Sequence, residues 1–176
     1  QEIPGYAVSI VPVRSGDTLC LFVTTARRTQ LGMYKINLTS ADPSQTYYLS
    51  LAAGSEILHF SATANGTTLH LAVTTIESSR MLTAVNLQGH RFQLNYSIAG
   101  CSWMVPVIAD SATPRCLVGT AAGFELRIDG TPTPALWAVS DVLTNPSVLS
   151  TSYGRMLAGL KGTFLVEYDI DKAVAP

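Results

Sequence analysis

The sequence predicts an all-β chain of four consecutive four-stranded antiparallel units, the last one incomplete. Three observations carry this. The stretch Gly16 to Thr25, Gly-Asp-Thr-Leu-Cys-Leu-Phe-Val-Thr-Thr, returns fifty positions later as Gly66 to Thr75, Gly-Thr-Thr-Leu-His-Leu-Ala-Val-Thr-Thr, with seven of ten residues identical and no gap. A match at fixed offset marks one structural unit copied along the chain. A short signature, an apolar or aromatic residue followed by Asn or Asp, closes each unit at Asn37, Asn86, Asp129 and Asp169, which lie 49, 43 and 40 residues apart. Asn and Asp side chains cap local backbone groups where a strand gives way to a turn. The text between these signatures breaks into short runs rich in Val, Ile, Leu, Thr and Tyr, bounded by turn residues.

Taken in order, the first unit offers strands over Tyr6 to Val13, Thr18 to Thr25, Leu31 to Leu38 and Thr46 to Leu51. The second offers Glu56 to Thr63, Thr67 to Thr75, Arg80 to Leu87 and Arg91 to Ile98. The third offers Trp103 to Ala109, Arg115 to Thr120, Phe124 to Asp129 and Ala135 to Val139. The fourth stops at Ser147 to Ser150, Arg155 to Leu160 and Thr163 to Ile170. Ser15-Gly16-Asp17, Ala64-Asn65-Gly66 and Tyr153-Gly154 fill the same hairpin slot in three units, and Asn-Gly is a strong hairpin signal because both residues tolerate positive φ.

Four strands per unit, at roughly 40 to 50 residues, is the spacing of propeller blades. On these residues the chain resembles the WD40-like β-propellers over nearly its whole length. Where that family often closes its third strand with Trp-Asp, this chain has Ile36-Asn37, Val85-Asn86, Ile128-Asp129 and Tyr168-Asp169, and Gly89-His90 falls on a different turn from the family's Gly-His pair. The resemblance therefore reaches the propeller superfamily rather than WD40 proper. It implies one domain over residues 1 to 176, with blades near 6–51, 56–98, 103–139 and 147–172. A barrel of this length needs fewer, longer strands and no fifty-residue repeat.

Composition sets outer bounds. Charged residues make up 13% of the chain, about half the usual quarter, so inner strands covered on both faces by neighbouring blades are expected. A net charge of −1 supplies no basic field for nucleic acid. The longest uncharged stretch, Phe92 to Ala109, contains Gln93, Asn95, Gly100 and Pro106 and crosses a blade boundary, so no membrane span is expected. Three cysteines without a CxxC pair argue against a disulfide framework or structural zinc. Cys20 and Cys116 read as core residues. This cysteine usage favours cytosol or nucleus, with secretion the alternative. In the secreted case the sequons at Asn37, Asn65 and Asn95 would carry glycans on an adhesion domain.

Unit four lacks an outer strand, and Gln1 to Gly5, with Pro4 and Gly5, is poorly suited to supply one. The chain is expected to be a self-contained ring, a half completed by a second copy or another subunit, or a piece of a longer protein. An unpaired edge presents free N–H and C=O groups.

No chemistry-bearing motif stands out. Gly119-Thr-Ala-Ala-Gly123 lacks the Lys of a phosphate loop, and no G-x-S-x-G elbow occurs. His70 replaces Cys20 of the first copy in a strand read as buried, and His59 sits mid-strand beside Phe60; both are expected as hydrogen-bonded core imidazoles, and His90 as solvated. The carboxylates are scattered singly. The expectation is therefore an interaction or scaffold module without catalytic activity, cofactor or metal, acting through its loops or its open edge. The face carrying the loops between second and third strands and between blades gathers Arg27, Arg28, Glu56, Glu77, Arg80, Trp103, Asp141 and Lys161. Of these, Arg27, Arg28, Arg80, Trp103 and Lys161 are the expected partner-binding residues, since Trp and Arg dominate interface hot spots. Ala26-Arg27-Arg28-Thr29-Gln30 suits an acidic or phosphorylated peptide. A carbohydrate- or small-ligand-binding or hydrolytic propeller is the alternative, and carboxylates and aromatics clustered around the central channel would mark it.

Overall fold

A computed structural model describes residues 7–25, 31–39, 45–49, 56–65, 68–86, 91–108, 115–128 and 137–171. The fold is all-β and propeller-like. Blade 1 contains β1 (Ala7–Ser15), β2 (Thr18–Thr25), β3 (Leu31–Asn37) and β4 (Gln45–Leu49). Blade 2 contains β5 (Ile57–Asn65), β6 (Thr68–Thr75), β7 (Ser79–Asn86) and β8 (Arg91–Ile98). Blade 3 contains β9 (Trp103–Ile108), β10 (Arg115–Thr120), β11 (Gly123–Ile128) and the two-residue β12 (Ala138–Val139). Blade 4 contains β13 (Thr144–Thr151), β14 (Gly154–Lys161) and β15 (Phe164–Asp169). Every neighbouring pair is antiparallel and follows chain order. Of the expected strand Ala135 to Val139, Ala138 and Val139 form β12, a Leu126 N–H to Trp137 C=O bond of 2.9 Å extends its pairing with β11, and Ala135 and Leu136 lie outside the described residues. One expected element differs from the sequence reading. β13 begins three residues earlier than Ser147, across a register shift between Thr144 and Ser147.

The duplicated stretch is legible in register. β1 and β5 have the same bulge fifty residues apart, between Ala7 and Ser9 and between Ile57 and His59. The inner strands β1, β5, β9 and β13 touch in succession, whereas β13 and β1 make no comparable contact among the described residues. Prolines occupy three inner strands, at Pro12, Pro106 and Pro146. Each of these strands has one edge free of ladder bonding, where a missing N–H costs no pairing.

Three buried clusters fill the three joints between consecutive blades. Cys20, Phe22, Leu31 and Met33 of blade 1 meet Phe60, Leu69, Leu71 and Val73 of blade 2. Ala72, Met81 and Ile98 of blade 2 meet Met104, Cys116 and Val118 of blade 3. Trp103, Val105, Leu117, Phe124 and Leu126 of blade 3 meet Leu143, Leu157 and Ile170 of blade 4. Leu71 and Ala72 are adjacent in β6 yet belong to different joints, which is how alternation places a strand covered on both sides. Among the described residues no buried cluster joins blade 4 to blade 1. Burial pushes the Cys20 thiol up to about 11 and the Cys116 thiol to about 12, so both are protonated core groups.

The histidines behave as core groups. His70 Nδ1 lies 2.7 Å from Thr83 Oγ1. His59 of β5 in blade 2 reaches blade 4, its Nε2 standing 3.1 Å from the Pro146 carbonyl of β13. Burial lowers its pKa, against the opposite pull of the Pro146 and Met104 backbone. His90 lies outside the described residues.

Two outcomes are expected from this core. Leu71 is 0% exposed, so Leu71→Asp places an unpaired carboxylate between blades 1 and 2. It should cost about 3–5 kcal/mol or abolish folding, read by urea titration. His59 has a folded pKa below its unfolded value, so the unfolded chain binds its proton first. The stability tied to neutral His59 should be fully present above the unfolded pKa of about 6.5 and fall as pH drops through it. A His59→Gln chain should lose that part of the slope in melting temperature against pH between about 7 and 5.

Candidate interaction surface

Among the described residues, blade 4 leaves one side of its sheet and one edge open. In blades 1 to 3 the third strands β3, β7 and β11 each pair with a fourth strand, β4, β8 and β12. Among the described residues β15 pairs only with β14. Two residues beyond β15 are described. Ile170 turns inward and is fully buried in the joint between blades 3 and 4. Asp171 then folds back over the start of β14. Its Oδ2 accepts the Arg155 backbone N–H at 2.8 Å, and its Oδ1 accepts Arg155 Nε at 2.8 Å and pairs with the guanidinium at 2.6 Å. The same guanidinium donates to the Val107 carbonyl of β9 at 2.7 Å, tying blade 4 to blade 3. The backbone bond from Arg155 is the main cause holding the Asp171 carboxyl below its ordinary pKa.

Alternation along β15 sorts its side chains. Val166 and Tyr168 face blade 3, and Tyr168 joins an aromatic group with Phe124 at 4.9 Å and Trp137 at 6.4 Å between ring centres. Leu165, Glu167 and Asp169 take the opposite face, beside Leu160, Ala158 and Met156 of β14. Phe164 and Leu165, at the entry of the strand, are 74% and 68% exposed. Lys161, just before the β14–β15 turn, is committed to Asp141 at 2.7 Å, and Tyr168 donates its hydroxyl to the same carboxylate. Those two bonds, Lys161 first, hold Asp141 below its ordinary pKa. Burial, with the Asp141 contact, pushes the Tyr168 phenol up to about 12.

The residues expected to bind a partner do not assemble into one site. Arg27 and Arg28, and with them the acidic- or phosphopeptide patch, lie outside the described residues. Arg80 sits half-exposed on β7 between Val73 and Ser97, and Glu56 and Glu77 stand exposed at separate turns. Lys161 and Asp141 are brought together, as an ion pair. Trp103 must be corrected. It is 3% exposed, donates its indole N–H to the Leu143 carbonyl at 2.9 Å, and packs so closely on Gly119 that a Cβ there would lie 2.1 Å from the ring. It is a joint-filling residue with no surface to offer. Sequence reasoning weights Arg and Trp in loops, which leaves the β15 residues unmarked. The adjacent apolar pair Phe164-Leu165 was the available signal.

The marks of a ligand site are dispersed. Glu125 pairs with Arg127, Asp171 with Arg155 and Asp141 with Lys161, each separately. Among the described residues no group of three or more His, Cys, Asp or Glu could hold a metal ion, and no helix is long and apolar enough to cross a membrane.

No protein-family model matches the chain, and no curated protein matches it in sequence. A solved structure, that of a bifunctional GH43-CE protein of Bacteroides eggerthii, is similar over 96% of this chain at 10% identity and a TM-score of 0.46. This chain spans 30% of that one's length. The architecture is propeller-like, and nothing in it is specific to WD40 proteins. One expectation is corrected here. The similar structure is that of a hydrolase, so the expected lack of catalytic activity is withdrawn. At this degree of likeness no residue role carries over from it.

The Arg155–Asp171 contact generates its own test. Asp171→Asn removes the charge and keeps the shape. The cost should be about 1 kcal/mol, modest because the carboxylate is 41% exposed. Hydrogen exchange at Tyr168 and Asp169 should quicken while that of β6 stays unchanged.

Proposed function

We propose that the chain is a protein-docking module that receives an extended segment of a partner as the fourth strand of blade 4. The observation that carries this is that, among the described residues, β15 has one unpaired edge whereas the other three third strands are all paired. Strand addition draws its affinity from main-chain hydrogen bonds and its specificity from alternate side chains, so an edge with both apolar and charged neighbours is suited to it. The exposed Phe164 and Leu165 supply apolar contact where the added strand would begin or end. Docking at the edge leaves the three buried joints intact, so no rearrangement of the blades is required.

Hydrogen exchange on the free chain tests the reading. Amides of β15 that point away from β14 should exchange much faster than those of β7, its equivalent in blade 2. A peptide with the sequence of β8, Arg91 to Ile98, is a suitable probe because it already serves as a fourth strand. Adding it should slow exchange in β15, and Leu165→Asp should abolish that effect with little change in melting temperature. If β15 in the free chain is as protected as β7, the edge is already covered and the proposal fails.

A further inference from the structure

The edge also carries a preference for what it takes, which rests on the strand-addition reading above. The chain's own fourth strands show what such a strand contributes. β8 sends Phe92 into the joint with blade 1, where it meets Phe22 edge-on at 6.4 Å. From the same strand Tyr96 packs into the joint with blade 3 and donates to Cys116 Sγ at 3.2 Å. A fourth strand therefore seals the outer rim of a joint with aromatic or apolar groups. At blade 4 the corresponding rim is lined by Val166, Tyr168 and the half-buried Trp137.

The opposite face differs in charge. Glu167 stands exposed opposite Ala158, flanked along its row by Leu165 and Asp169. The two described cations of blade 4 are committed elsewhere: Arg155 to Asp171, and Lys161 to Asp141. Among the described residues no ion pair holds Glu167. Directly opposed charges on neighbouring strands of one face favour pairing by about 0.2–1 kcal/mol, and like charges oppose it. A strand laid beside β15 places one row of its side chains next to Leu165, Glu167 and Asp169.

We infer that β15 selects an extended segment of alternating character, with Lys or Arg on the Glu167 side and apolar or aromatic residues on the Val166–Trp137 side. The partner is thus a protein carrying a basic-apolar strand. An overall net charge of −1 gives no general attraction to cations, so the preference is local to this row.

The test uses the full chain and two fluorescent octapeptides, one alternating Val with Lys and one alternating Val with Glu. The Lys peptide should bind about two- to fivefold tighter at low salt. Its advantage should shrink at high salt and disappear in a Glu167→Gln chain, whose melting temperature should be unchanged because the residue is exposed. Equal affinity for the two peptides, with β15 amides protected by both, overturns the charge preference and leaves strand addition standing. A Lys preference that survives Glu167→Gln also overturns it. Failure of both peptides and of the β8 peptide to slow exchange in β15 removes strand addition as well.

Discussion

The constraint on which everything else depends is that a blade has two apolar faces and can bury neither alone. β6 shows the solution in its simplest form: after Thr68 all of its positions are buried, because blade 1 covers one face and blade 3 the other. β14, the matching strand at the end of the arc, is buried only at Leu157, Ala158 and Gly159. The two strands differ less in sequence character than in how many neighbours they have. Position along the arc, more than local propensity, decides exposure. Each joint removes large side chains such as Phe22, Leu71, Met104 and Phe124 from water, and at about 25 cal/mol per Å² of apolar surface that burial is the main favourable contribution. Polar ties such as Arg155 to Val107 and His59 to Pro146 then fix how the blades are aimed.

The fold was largely legible in the sequence because duplication preserves geometry along with residues. The copied hairpin at Gly16 and Gly66 kept its bulge as well as its alternation, and the Asn/Asp signatures at Asn37, Asn86 and Asp169 fall on the last residues of β3, β7 and β15. The start of blade 4 was less legible: β13 begins at Thr144, three residues before the expected Ser147, because a register shift separates Thr144 from Ser147 and breaks the alternation there.

The site was legible only as a gap. Three runs could be counted in unit four from the text, but the residues along the edge of the third could not be ranked. Trp103 looked like a surface anchor because the sequence gives it a place at the start of a first strand without saying which way it points. Gly119, sixteen residues on, is what makes room for its indole, and that correspondence exists only across paired strands. Asp141 and Lys161 were grouped by their loop positions and do meet, yet their meeting neutralises both, so proximity removed them as candidates. Glu167 had no distinguishing mark in the sequence. What sets it apart is the commitment of every described cation of its blade to another carboxylate.

The treatment of edges separates β15 from the open inner strands. An exposed edge invites unwanted pairing, and proteins blunt it with proline, lysine or a bulge. The inner strands follow that rule: β1, β9 and β13 each contain a proline, and each pairs through a register shift. The outer strand β8 follows it too, with two shifts against β7, whereas β4 pairs with β3 in unbroken register and holds neither proline nor lysine. β15 resembles β4 in this. Phe164–Asp169 holds no proline and no lysine, and its register with β14 runs unbroken from Lys161–Phe164 to Met156–Asp169. A straight, apolar-fronted edge is the least protected kind. It stands beside inner strands that are blunted. Regular register alone does not distinguish β15, since β4 shares it; what distinguishes β15 is that it is a third strand unpaired on one edge among the described residues, with Phe164 and Leu165 exposed at its start.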